Sequence, residues 1–231
     1  MDYLRTLYNM FKKRENDNRV FAKGICWKKM FWVFFISSFI GDLIETVFCR
    51  VFEGVWMSRS SVIYGHFSIV WGIGAVVLTL VLSRFIEKPN WYVLGVGALL
   101  GGVYEYTCSL FTEVVLGTVF WDYSWMPFHI GGRTNLLYML FWGILGLFWI
   151  RLCYPRLSLM VERIPPLPGN VMTWALVGFM IVNSLISAMA MIRYTQRQDG
   201  IEADNVVESF LDETYQDELI EQVWPNMVVM D

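Results

Sequence analysis

The chain has 231 residues, is 56% hydrophobic and 17% aromatic, and carries only 17% charged residues, which is too apolar for an ordinary soluble domain. Its net charge of −3 hides an asymmetry, because ten of the 21 acids follow Ile192. The two histidines lie far apart and Cys26, Cys49, Cys108 and Cys153 have no metal-ligand spacing, so no zinc site, other metal or cofactor is expected, nor is a nucleic-acid partner.

Five apolar stretches approach or exceed the ~20 residues that cross a hydrocarbon core as a helix. They are 30–52, 62–86, 91–116, 134–153 and 171–192. The expected fold is an all-α integral membrane protein, a five-helix transmembrane bundle. Residues 1–29 form a basic cytoplasmic or interfacial arm, 30–192 the membrane domain, and 193–231 an acidic extracytoplasmic tail.

The arm holds eight of the 18 lysines and arginines and resists translocation. Leu4, Leu7, Tyr8 and Phe11 recur at helical spacing, so the arm is either an interfacial helix or a solvated basic segment. Alternating spans from this start place 13 cations inside and five outside, which predicts N-terminus in and C-terminus out.

Span one carries Ser38, Asp42, Glu45 and Cys49 on one helix face. Even a lenient scale charges ~2.5–3.5 kcal/mol for a mid-membrane Asp, so these carboxyl groups require a polar interior and a partner. Span two has a stripe of small residues, Gly65, Ser68, Gly72, Ala75 and Thr79, with Tyr64 and His66 near its outer end. Span three runs Gly97, Gly101, Glu105, Cys108 and Thr112 down one face. At ~1.5 Å per residue, Glu45 and Glu105 lie about 22 and 21 Å from the inner ends of their helices and meet at one depth. The cysteines are read as thiols, with a Cys49–Cys108 disulfide left open.

Between spans three and four lies Trp-Asp-Tyr-Ser-Trp-Met-Pro-Phe-His-Ile-Gly-Gly-Arg, residues 121–133, which holds most of the unusual chemistry. It is either an interfacial aromatic belt or an ordered lid over a polar site. The candidate substrate-binding or proton-carrying residues are Glu45, Glu105, Arg133, Asp122, Tyr64, His66, His129 and Asp42, with Trp121, Tyr123 and Ser124 shaping the loop. In the sharpest form of this reading Arg133 caps Glu45 and Glu105 while Asp122 competes for it. Span four is a packing helix, followed by an irregular basic connection with Pro155, Pro165, Pro166 and Pro168. Span five offers Asn183, Ser184 and Ser187 for hydrogen bonds. The tail, from Asp204 to Val223, reads as an outer amphipathic helix, either exposed or docked on a partner or on the 121–133 loop.

Ser38 to Gly41 with Glu45, Tyr64-Gly65 and Trp71 to Ala75, Glu105 to Ser109, Trp121 to Ser124 with Pro127, Gly132-Arg133 and Trp142-Gly143 together resemble a family of small bacterial membrane proteins, ABC-transporter permeases of the CmpB, or type IV, kind. The resemblance covers about residues 30–155. Asp42, His66, Ser68-Ile69 and His129 depart from the family's pattern. It implies a multipass plasma-membrane protein in transport. With no Gly-x-x-x-x-Gly-Lys-[Ser/Thr] loop in the sequence, ATP hydrolysis falls to a separate subunit. The leading reading is a permease component that handles a small polar or charged solute from the outer side and is itself not an enzyme. The alternatives are an integral membrane enzyme acting on a lipid or envelope precursor, with Glu45, Glu105 and His129 as acid–base groups, and a non-catalytic scaffold or sensor. Expected partners are membrane lipids, the ATPase or an envelope protein, and a second copy of the chain.

Overall fold

The computed structural model describes residues 20–52 and 54–230. The reading of Leu4, Leu7, Tyr8 and Phe11 as an interfacial helix falls outside them. The main helices are α1 (Trp27–Phe52), α2 (Ile69–Leu82, continued by a 3-10 turn to Phe85), α3 (Asn90–Leu116), α4 (Leu136–Phe148), α5 (Tyr154–Glu162) and α6 (Pro166–Gln198). Two short helices close the chain, α7 (Val206–Thr214) and α8 (Asp217–Val223). Four two-residue strands pair as β1 (Thr118–Val119) with β4 (Val228–Val229) and β2 (His129–Ile130) with β3 (Thr134–Asn135).

Among the described residues, four helical runs are long and apolar enough to cross a membrane: Trp27–Phe52, Asn90–Leu116, Leu136–Glu162 and Pro166–Gln198. The expected second span is shorter than its apolar stretch, because only Ile69–Phe85 is helical and residues 62–68 belong to a loop. The connection after span four is also more regular than expected. Pro155 cannot donate a backbone hydrogen bond, and the helix absorbs it in a π segment, Trp149–Cys153, before continuing as α5. Pro166 and Pro168 sit in the first turn of α6, where a missing N–H costs nothing.

The chain divides into two compact units, one drawn from Met1–Ser37, Trp71–Tyr104 and Leu136–Phe179, the other from Ser38–Val70, Glu105–Asn135 and Met180–Asp231. In the first, Trp32, Val33, Leu78, Leu82, Val93, Ile150 and Val161 are buried in one cluster. Small residues set its close approaches. A Cβ on Gly101 would overlap the Trp142 indole, and one on Gly97 would meet the Gly143 backbone at 3.3 Å. Lys29 is fully buried there and donates to Glu162 Oε1 at 2.6 Å and to Ser158 Oγ at 2.5 Å, while Trp32 Nε1 donates to Thr173 Oγ1 at 2.9 Å.

The second unit has its own cluster of Ala190, Met191, Tyr194, Leu211, Tyr215, Ile220 and Trp224. The tail is therefore not a single exposed helix. Its apolar residues divide between α7 and α8, and Leu211, Tyr215, Ile220 and Trp224 are all 5% exposed or less. Arg193 and Arg197 reach Asp212 at 2.6 Å each, and Arg197 also reaches Asp217 at 2.6 Å. Those two arginines are the cations that balance the acidic tail, which is why it folds back rather than staying solvated.

Candidate functional site

The polar chemistry of the second unit lies on two helix segments, each met by a non-helical loop. The first loop, 54–68, needs its backbone groups satisfied because water is scarce near a membrane-spanning helix. Ser60 Oγ donates to the Val62 carbonyl at 2.8 Å, and Ser61 N donates to the Phe67 carbonyl at 2.9 Å. Asn183 and Ser187, read from sequence as links between helices, instead bind this loop's backbone. Asn183 accepts from Tyr64 N at 3.2 Å and donates to the Tyr64 carbonyl at 2.7 Å, and Ser187 Oγ accepts from Ile63 N at 2.9 Å. The Tyr64 hydroxyl meets that of Tyr215 at 2.9 Å. Burial, and then this hydrogen bond, push the Tyr215 phenol up to about 12.

The loop brings a basic side chain to each carboxylate of α1. Arg59 holds Glu45 Oε1 through Nε at 2.8 Å and Nη2 at 2.5 Å, and His66 Nδ1 stands 3.3 Å from Asp42 Oδ2. Arg59 was missed in the sequence, since a loop residue fourteen positions on has no periodic relation to Glu45.

The second loop, 118–135, is ordered by short-range bonds. Asp122 Oδ1 accepts from Ser124 N at 2.8 Å and Ser124 Oγ at 2.6 Å, and these two bonds hold its carboxyl below the usual range. Tyr123 N donates to the Gly132 carbonyl at 2.7 Å, and Gly132 N donates to His129 Nδ1 at 3.1 Å. Gly131 and Gly132 turn the β2–β3 hairpin at φ +60° and +71°. A side chain at 132 would be strained there and would collide with Ser124 and Asp122. Trp121 Nε1 donates to the Arg133 carbonyl at 2.9 Å.

Glu105 lies beneath this loop, 8% exposed. The Tyr123 hydroxyl donates to its Oε1 at 2.9 Å and the Thr134 hydroxyl to its Oε2 at 2.6 Å. Among the described residues no cation pairs with it. Arg133 does not cap Glu45 and Glu105 as the sequence suggested. Its ion pair is with Glu113, two turns beyond Glu105, while Nη1 donates to Ser109 Oγ at 3.1 Å and the guanidinium stacks over Tyr106 at 5.8 Å. Asp122 does not compete for it, because its Oδ1 already accepts two bonds from Ser124. The expected cluster thus resolves into separate sets: Asp42 with His66, Glu45 with Arg59, Arg133 with Glu113, and Glu105 with two hydroxyls. No disulfide joins Cys49 and Cys108.

Long apolar helices linked by loops that return polar groups to helix-borne carboxylates define a multipass, all-α membrane protein. Residues 32–188 match the family described as Putative ABC-transporter type IV, ABC_trans_CmpB, and the chain belongs to that family. No curated protein and no solved structure matches it.

Proposed function

We propose that the protein is the membrane component of a transporter for a small polar or charged solute, taken from the outer side, with ATP hydrolysed by a separate subunit. The supporting observation is Glu105, a carboxyl on a membrane-crossing helix that is held by two neutral hydroxyls from a loop rather than by a fixed cation. Such a group can exchange its partners for a proton or for a donor on a solute without breaking an ion pair. Asp122 and His129 shape the loop above it, and Arg133 with Glu113 fixes that loop to α3. Asp42, Glu45, His66 and Tyr64 line the companion segment.

The orientation that fits is N-terminus in and C-terminus out, with Ile69–Phe85 as a fifth, shorter crossing of about 25 Å. The 13-to-5 bias of cations supports it. Arg84, Lys88, Arg151, Arg156 and Arg163 then face the cytoplasm, where an ATP-hydrolysing partner docks.

The test is uptake of a panel of radiolabelled polar solutes into cells or vesicles, with wild-type protein against Glu105→Gln. The variant should insert and unfold normally yet lose uptake. Retained uptake removes Glu105 from the mechanism. Cross-linking in native membranes that captures no ATP-hydrolysing partner removes the two-subunit arrangement.

A further inference from the structure

We propose that His129 is a proton-operated catch, which keeps the 118–135 loop closed over Glu105 while its imidazole is neutral and releases the loop once the imidazole is protonated. The bond that carries this has the histidine as acceptor. Gly132 N donates to His129 Nδ1 at 3.1 Å, so Nδ1 is the bare nitrogen and the ring proton sits on Nε2. An imidazolium has an N–H on both nitrogens and cannot accept this bond. His129 lies on an exposed two-residue strand, within reach of bulk protons, and imidazole is the side chain that changes charge between about pH 5 and 8.

One residue passes the change on. The Gly132 amide is held by His129, and the Gly132 carbonyl accepts from Tyr123 N at 2.7 Å, so the two limbs of the loop are joined here. At φ +71° and with no side chain to pack, Gly132 is kept in place by these two bonds. Tyr123 on one limb and Thr134 on the other are the donors to Glu105. The surrounding charges give the protonated ring somewhere to go. Asp122 faces His129 from the opposite limb, and Ser124 occupies only its Oδ1. Of the other charged groups of the loop and of α3 beneath it, Arg133 and Glu113 pair with each other and Glu105 is held by its two hydroxyls. An imidazolium thus leaves the Gly132 N–H, which it now repels, for the Asp122 carboxylate. The sign follows: the catch is complete at alkaline pH and is lost as pH falls through the imidazole range.

The consequence for Glu105 rests on the transport reading, whereas the movement of the loop does not, and the two are measured separately. Full-length protein in detergent is followed by hydrogen–deuterium exchange at about pH 5 and about pH 8. The reference is His129→Asn, whose side-chain oxygen can accept the Gly132 bond but has no titrating proton. Comparing the two proteins at equal pH cancels the intrinsic pH dependence of exchange. Residues 118–135 should exchange equally in both at the higher pH and about 2–10-fold faster in wild type at the lower, the worth of one neutral hydrogen bond. Equal exchange at the lower pH overturns the proposal. Should His129→Asn fail to fold, Asp122→Asn decides, because loss of the imidazolium's partner should move the acid transition of the loop to lower pH, and an unmoved transition overturns the proposal. Uptake that responds to external acid in wild type but not in His129→Asn joins the catch to Glu105. A loop that opens in acid with uptake unchanged upholds the catch and counts against the transport reading.

Discussion

Two buried carboxylates, one in each unit, are held in opposite ways. In one, Lys29 and Glu162 neutralise each other at 2.6 Å, with side chains 0% and 2% exposed, and Ser158 takes up the ammonium's remaining donors. In the other, Glu105 is nearly as deep but is held only by hydroxyls. A matched pair has no reason to change state, since separating it strands a charge in a low-dielectric interior. A carboxyl with neutral donors keeps its contacts whether or not it carries a proton. Stability thus belongs to the first arrangement, and exchange of partners, under the transport reading proposed above, to the second.

The largest expected effect comes from Lys29→Met, which strands Glu162 and should cost about 3–5 kcal/mol, whereas Lys29→Met with Glu162→Leu should recover most of that loss. Denaturant titration in detergent reads both. A single variant as stable as wild type would show that the pair carries no structural load and would break the comparison.

Next in size is Arg193→Gln, which removes the bidentate grip on Asp212 and should cost about 1.5–3 kcal/mol, the worth of a charge-assisted hydrogen bond. The same contact predicts a pH dependence. Hydrogen bonds from Arg193 and then Arg197 lower the Asp212 carboxyl below its ordinary value, so its contribution is complete above about pH 4 and is lost as pH falls through the lowered value. Melting curves of wild type and Asp212→Asn should therefore converge at acid pH. Curves that stay parallel would place the tail's stability in apolar packing alone.

Tyr123→Phe sharpens the comparison from the other side. It removes one donor from Glu105 and should cost about 1 kcal/mol while impairing uptake far more than stability suggests. Equal and small changes in both would make the Tyr123 bond a packing detail. The smallest effect is expected at Arg59 and Glu45, 19% and 25% exposed, where a double-mutant cycle should return about 0.2–1 kcal/mol.

What could be read from the sequence follows periodicity. The spans, the carboxylates of α1 and α3 and the aromatic loop stand out because helical spacing and composition carry them. Lys29 and Glu162 escaped because each looks like a flanking charge, and only the continuation of α4 through the π segment into α5 brings Ser158 and Glu162 to one buried amine. Arg133 pairs with a partner that periodicity does not predict, for a related reason. Depth along a helix is legible at 1.5 Å per residue, but the direction in which a loop returns is not, and the β2–β3 turn aims Arg133 at Glu113. The tail's fold-back was signalled by Arg193 and Arg197 facing an excess of acids, a charge balance that a single-helix reading overlooks.

The pairing of Thr118 and Val119 with Val229 and Val228 also has a consequence in time. The two strands are about 110 residues apart in sequence, so at roughly 5–20 residues per second the ribosome needs about 5–20 s after making the first to supply the second. During that interval β1 is an open edge, with Gly117 still lacking the Met230 amide that its carbonyl later accepts at 2.9 Å. The β1–β4 ladder therefore closes only once residues 228–230 have been made, long after the 118–135 loop that holds Tyr123 and Thr134 over Glu105.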